Sequence, residues 1–381
     1  MKIVIACDKY KGSLSATNVC NIIAKTIKDI DSSIEIIINP MADGGEGTVE
    51  TLVESAKGKY IDASVMGPLG DEIKARFGII ENNIAVIEMS AASGLWLVPY
   101  DKRNPMETTT YGTGQMIKKA LDVGCKKIIM GIGGSATNDG GMGMAQALGI
   151  KFYDINGRLL GLGGSQLSKV SRIDAGGLDL KASSVVYECA CDVENPLTGK
   201  NGAAYVYAAQ KGADSQMIRE LNRGLINFAK VIKNDLGKNI RDLKGAGAAG
   251  GLGGGMVAFL NAKLRIGVNI IIDVTNLEEK IKDSDLIISG EGAFDKQTFF
   301  GKSAYGVAYL ARKYNIPVIT INGSVLVDRN QVSRSESELF SGNFSILNKP
   351  MELSDAVENA PGLLESLTSE IINFFLKIKR R

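Results

Sequence analysis

The apolar positions of the chain follow two periods, and the change from one to the other marks its elements. Residues 2–7 and 34–39 are short runs rich in valine and isoleucine, and between them Val19, Ile22, Ile23, Ile27 and Ile30 recur at helical spacing. This predicts a βαβ unit. The pattern returns near the other end, with an apolar run at 285–289, a helical stretch from about Ser303 to Tyr314 and a second run at 317–322. One sheet is therefore expected to draw strands from both ends of the chain. In between, residues 59–66, 72–80 and 83–88 read as antiparallel strands, joined at hairpin distance by Gly67–Asp71 and Glu81–Asn83. The predicted class is α/β: a doubly wound, mainly parallel, Rossmann- or flavodoxin-like domain from residues 1–66 plus 284–381, with a second α/β domain of mixed sheet, 67–283, inserted in it. An amphipathic helix at 363–379 with a basic end closes the chain, and no chemistry is expected there.

Glycines punctuate these elements where strands end. Lys126–Gly149 reads as a buried strand, a glycine-rich loop and the start of a helix, a combination that grips phosphate through backbone N–H groups and the helix dipole. Gly131, Gly133 and Gly134 free the backbone for close approach, Ser135, Thr137 and Asn138 add side-chain donors, and the Asp139 carboxylate suits a magnesium ion bound to the phosphates. Asp8–Ser15, Pro40–Thr48, Cys191–Leu197, Gly245–Gly255 and Ser289–Thr298 likewise join turns to acids or lysines. Open parallel sheets place their ligands at such strand ends. Two decoys stand among them. Gly301-Lys302-Ser303 resembles the end of a Walker A loop, but Lys296 stands where its first glycine belongs. Gly245–Gly250 matches the dinucleotide fingerprint, with Asp273 downstream as its acid, but Asn239–Lys244 is a poor strand and the run continues through Gly251, Gly253, Gly254 and Gly255.

Composition narrows the chemistry. The 381 residues, 45% of them hydrophobic, suffice for two or three domains. With 44 basic and 42 acidic residues the chain offers no broad positive field for nucleic acid or membrane, so a small-molecule partner is expected. Histidine is absent, which excludes imidazole metal ligation and Ser-His catalysis and leaves proton transfer near neutral pH to Asp, Glu, Lys, Tyr or Cys. Five cysteines fit neither a disulfide framework nor a zinc ribbon, and the expected setting is a reducing cytoplasm. Val4-Ile5-Ala6-Cys7 imitates a lipoprotein cleavage box, but few apolar residues precede it and Asp8-Lys9 follows, so it reads as a strand end. No run approaches the roughly 18 apolar residues of a membrane span.

Taken together, Asp8–Ser15, Asp43-Gly44-Gly45-Glu46-Gly47-Thr48, the Gly131–Asp139 loop, Cys191–Leu197, the Gly245–Gly255 run and Ser289–Thr298 resemble the bacterial glycerate kinases of type I, in the same order and over residues 1 to about 325. Two places depart from that pattern. Tyr207-Ala208-Ala209 replaces a Phe-Gly-Pro before Gln210-Lys211-Gly212-Ala213, and Ser303-Ala304-Tyr305 lacks a proline. The resemblance implies ATP-dependent phosphorylation of D-glycerate, at O2 to give 2-phosphoglycerate, with Mg²⁺ as cofactor. Its partners are then ATP and D-glycerate, with no nucleic acid, no membrane, and a homodimer left open. On this reading Asp192 or Asp295 orients the hydroxyl as base, with Lys9 beside them. Asp43, Asp139 or Glu291 holds magnesium. The Gly131–Asn138 loop, Gly253, Gly254 and Lys302 meet the phosphates, and Lys11, Ser13, Gly44, Gly45, Asn195 and Gln297 meet the substrate. The rivals are an NAD-dependent hydroxy-acid oxidoreductase using the Gly245–Gly250 run and a non-catalytic anion-binding protein. Similarity of Gly131–Thr137 to the phosphate loop of galactokinase-like small-molecule kinases is a second route to the same reaction class.

Overall fold

The computed structural model describes residues 1–45, 47–327 and 333–379. Glu46 and the basic end Arg380-Arg381 lie outside them. The chain divides into two compact units, Met1–Asp43 with Val268–Arg381, and Gly44–Gly267.

In the first unit the strand Lys2–Cys7 lies between Leu286–Gly290 and Glu35–Ile38, and the sheet continues through Val318–Asn322 to Gly342–Ser345, all pairs parallel. Numbered within the unit, the strand order is 2-1-3-4-5, the flavodoxin-like arrangement. Alternation along Lys2–Cys7 sends Ile3, Ile5 and Cys7 to one face. There they share a core with Val19, Ile23 and Ile27 of the helix Ala16–Ile30 and with Leu364 and Ile372 of the C-terminal helix Ala360–Lys379. Val4 and Ala6 point the other way and are also fully buried, and the helix Ser303–Arg312 packs on the same strands. Helices on both faces explain why these strands are continuous apolar runs rather than alternating ones.

The second unit carries a mixed six-stranded sheet in the order Lys263–Arg265, Val186–Ala190, Lys127–Gly131, Ile84–Glu88, Glu72–Ile80, Lys59–Met66. Pairing is parallel across the first four strands and antiparallel across the last three. The expected break at 66/67 therefore moves to 43/44, because Lys59–Met66 bonds along its whole length to Glu72–Ile80. The break expected at 283/284 falls at 267/268.

The dinucleotide reading of Gly245–Gly250 is overturned by the local structure. Described residues 239–251 form turns rather than a strand and phosphate loop, and Asp273 sits inside the helix Gly267–Val274 instead of at a strand end. Gly253 and Gly254, expected to meet phosphate, are buried in the helix Leu252–Leu260. A Cβ on Gly253 would lie 2.5 Å from the Gly245 carbonyl oxygen, so this glycine serves close packing. Helix propensity alone would favour alanine there by about 1 kcal/mol. The clash with backbone should reverse that sign, and Gly253→Ala is expected to lose about 1–3 kcal/mol in urea unfolding. A variant as stable as the parent would show that the contact is slack.

Candidate functional site

The first unit reverses its winding between Lys2–Cys7 and Leu286–Gly290, and a crevice opens beyond the C-terminal ends of strands at such a point. Asp8 and Glu291 are the first residues past those two ends. They line a cavity of about 400 Å³ together with Lys9, Lys11, Ser13, Asp43 and Lys302. The loop from Asp8 is held short because Ser15 accepts the Asn18 N–H as cap of the next helix, and because the Tyr10 hydroxyl donates to the Ile321 carbonyl at 2.8 Å. The Ser13 hydroxyl, expected to meet substrate, instead donates to the Val357 carbonyl at 3.3 Å.

Asp8 is 9% exposed. Its Oδ2 accepts the Ser303 hydroxyl at 2.5 Å and its Oδ1 the Lys9 N–H at 2.7 Å. Burial and then the negative charge of Asp43 push its carboxyl up to about 7, against the pull of Ser303 and Lys9. Glu291 accepts the Thr298 hydroxyl at 2.6 Å and faces Lys302 Nζ at 3.4 Å. Burial raises its carboxyl, with Thr298 and Lys302 opposing. Lys302 Nζ also lies 3.7 Å from Asp295, so one ammonium stands between two carboxylates. Asp295 itself caps the turn Lys296–Phe300, accepting the Gln297 N–H at 2.7 Å while its own N–H donates to Thr298. Gln297 is exposed.

The second unit holds the remaining candidates. Of the expected phosphate loop only Gly133 and Gly134 are exposed; Gly131, Ser135, Thr137 and Asn138 are buried. Asp139, expected as a magnesium ligand, is fully buried and accepts Thr110 N–H and Thr110 hydroxyl at 2.8 Å each, Gly141 N–H at 3.1 Å and Gly143 N–H at 3.3 Å. The N–H groups of Gly141 and Gly143, at the start of the helix Met142–Ala147, are thus taken by the protein's own carboxylate, which leaves the exposed Gly133 and Gly134 as the part of the expected loop open to a ligand. Beneath the same loop, Lys211 is 1% exposed and donates to Ser135 Oγ at 2.7 Å and to the Thr137 carbonyl at 2.6 Å. Burial lowers its ammonium to about 7.

Gly44 is pressed against the end of a strand: at φ +84°, a Cβ there would lie 2.5 Å from Ala190 Cβ. The Gly45 carbonyl accepts the Thr48 hydroxyl at 2.7 Å. Asp192 is exposed just past Val186–Ala190, with Oδ1 held by the Gly267 N–H at 2.8 Å. Asn195 accepts the Tyr207 hydroxyl at 2.7 Å and donates to the Asn201 carbonyl at 2.8 Å, so the Tyr207 departure from the family pattern supports this loop.

The structure brings Lys9, Lys11, Asp43, Glu291 and Lys302, which the sequence singled out for separate roles, to one cavity; the sequence gave no role to Asp8, Ser303, Lys211 or Thr298. For Asp8 the signal was present, since it directly follows the first strand. For Lys211 there was none, because its partners lie more than 70 positions away. The apolar wall from Ile346 to Ala360 also lines the cavity, in a tail where no chemistry was expected.

Among the described residues no helix is long and apolar enough to cross a membrane. Residues 3–376 match the model of the glycerate kinase family. A glycerate kinase of Bacillus subtilis (strain 168) is 46% identical over 372 residues, covering 97% of each chain. A glycerate 2-kinase of Escherichia coli (strain K12) is 47% identical over 361 residues, covering 94% of each. A solved structure from Salmonella typhimurium LT2, provisionally assigned as glycerate kinase 2, superposes with a TM-score of 0.92 at 43% identity over 100% of both chains. Matched nearly end to end by the family model and by these relatives, the chain belongs to the glycerate kinase family of enzymes.

Proposed function

We propose that the chain transfers the γ-phosphoryl group of ATP to O2 of D-glycerate, giving 2-phosphoglycerate and ADP. The observation that carries this reading is the convergence of three carboxylates, Asp8, Asp43 and Glu291, with three lysines, Lys9, Lys11 and Lys302, on one cavity at the switch point of a parallel sheet. Phosphoryl transfer asks little covalent chemistry of a protein: it needs positioning, relief of phosphate charge and an oriented hydroxyl. The name of the Escherichia coli relative favours O2 for that protein, and at 47% identity we carry the position over. Five cysteines, all free thiols, suit a reducing compartment such as the cytoplasm.

The residues fit Mg²⁺ as the metal. It commonly takes one or two carboxylates, completing its shell with waters and substrate phosphates, and Asp43 and Glu291 supply hard oxygens on the cavity wall. When bound it would supply positive charge against the phosphates. Lys9, Lys11 and Lys302 relieve the charge of the transferring group. Asp192 offers the hydroxyl-orienting carboxylate, because one of its oxygens is fixed by the Gly267 N–H while the residue stays exposed. Asp295, committed to its cap, acts by holding the turn that carries Thr298 beside Glu291.

Incubation with ATP, D-glycerate and magnesium should give one new phosphomonoester resonance in a phosphorus NMR spectrum, at the position of 2-phosphoglycerate, and EDTA should abolish it. Product at O3 would correct the regiochemistry, and turnover of a nicotinamide cofactor without ATP would falsify the kinase reading.

Asp192→Asn should lower kcat by about 10²–10⁴-fold with little change in the KM for glycerate. Asp295→Asn should act mainly through stability, within the roughly 0.5–2 kcal/mol of a lost cap. If Asp295→Asn is inactive while folded and Asp192→Asn turns over normally, the two roles exchange.

Asp8 adds a pH signature. Its carboxyl is raised to about 7, so as pH falls through that value the group protonates and the negative charge facing the lysines is lost. The kcat/KM profile is therefore expected to fall on its acid side near pH 7. Ser303→Ala removes a hydrogen bond that favours the ionised form and should move this limb to higher pH. A limb unmoved by Ser303→Ala would assign it to another group.

A further inference from the structure

The cavity of the first unit has a second character that the carboxylates and lysines do not explain. On one side it is lined by Ile346, Leu347, Leu353, Ala356 and Val357. Three of these are large aliphatic side chains left in contact with solvent: Leu347 is 39% exposed, Leu353 79% and Val357 36%. D-glycerate cannot account for this wall. Each of its three carbons bears oxygen, so it has no apolar face to bury. A nucleotide has both parts, a flat base with apolar faces and a polyanionic tail, and a cavity of about 400 Å³ lies within the range of small-molecule sites.

We propose that the aliphatic wall of residues 346–357 is the nucleoside pocket, taking a purine ring with its phosphates directed to Lys9, Lys11 and Lys302. This rests on the ATP-dependent reading above and adds the location of the base. The two ends of the pocket are fastened together. The Ser13 hydroxyl, four residues along the loop from Lys9, donates to the Val357 carbonyl at 3.3 Å, so the lysine loop and the apolar wall are held in one register. The wall lies in the tail beyond the glycine-acid motifs, which is why base recognition left no motif in the sequence.

The double variant Leu353→Gln/Val357→Gln removes apolar surface without adding charge and keeps a helix-compatible side chain in Leu353–Glu358. Calorimetric titration with ADP should show affinity weakened by about tenfold to a hundredfold, as expected for losing the burial of one or two aliphatic groups. Tripolyphosphate affinity and the KM for D-glycerate should stay within about twofold of the parent. Unchanged ADP affinity would overturn the proposal, as would an equal loss for ADP and tripolyphosphate, or a rise in the glycerate KM alone. A parent chain that makes phosphoglycerate from ATP while ADP binding ignores the double substitution keeps the kinase reading and loses this one. A chain that binds ADP at the wall and makes no phosphoglycerate loses the kinase reading alone.

Discussion

The parallel pairing of Lys2–Cys7 with Leu286–Gly290 is the constraint on which the cavity of the first unit depends. It joins residues about 280 positions apart, through the register Ile3 with Leu286 to Cys7 with Gly290. That register sets Asp8 and Glu291 at adjacent strand ends, and Asp8 N–H donates to the Gly290 carbonyl at 2.8 Å where the ladder stops. A parallel pair at the point where winding reverses leaves its C-terminal ends uncovered, since the following connections leave toward opposite faces. Two carboxylates brought there, with Asp43 nearby, make a negative site that the surrounding lysines balance. The raised carboxyls of Asp8 and Glu291 follow from burial of acids that the fold cannot move into water, with the Asp43 charge adding to the shift at Asp8.

The second unit uses the same physics for a different end. Its glycine-rich loop is closed around its own charges: Asp139 occupies the N–H groups at the start of the helix Met142–Ala147, and Lys211 occupies Ser135 and the Thr137 carbonyl. An unpaired buried carboxylate would cost several kcal/mol, and the donors of Thr109, Thr110, Gly141 and Gly143 offset that cost. The result is a rigid strand-to-helix turn of which Gly133 and Gly134 reach the surface. Gly253 to Gly255 play a related part, since their missing side chains let a helix press on the turn at Gly140 and the carbonyl of Gly245. Glycine density here is in good part a packing device.

Much of this was legible in the chain. The β-branched runs at both ends, the helical spacing from Val19 to Ile30 and the hairpins after Met66 fixed the elements, because periodicity is a local property set by which face each residue must bury. The motifs that follow strand ends singled out Lys9, Lys11, Asp43 and Glu291, which line one cavity in the structure, and the order of the motifs carried the family. Strand ends in open sheets are exposed by topology, so acids and lysines placed there tend to face ligand.

What each polar group does with its hydrogen bonds was decided only by the tertiary structure. Asp139 reads like a ligand in sequence and is an internal hub because Thr110, 29 positions earlier, comes to lie against it. Ser13 reads like a substrate contact and is a latch because Val357, 344 positions later, offers its carbonyl. Residues 346–357 carry no motif, since an apolar wall is specified by shape and contact rather than by residue type at fixed spacing. Sequence determines which groups are available and which elements carry them; the partner each finds depends on contacts between segments tens to hundreds of residues apart, and these exist only once the chain has folded.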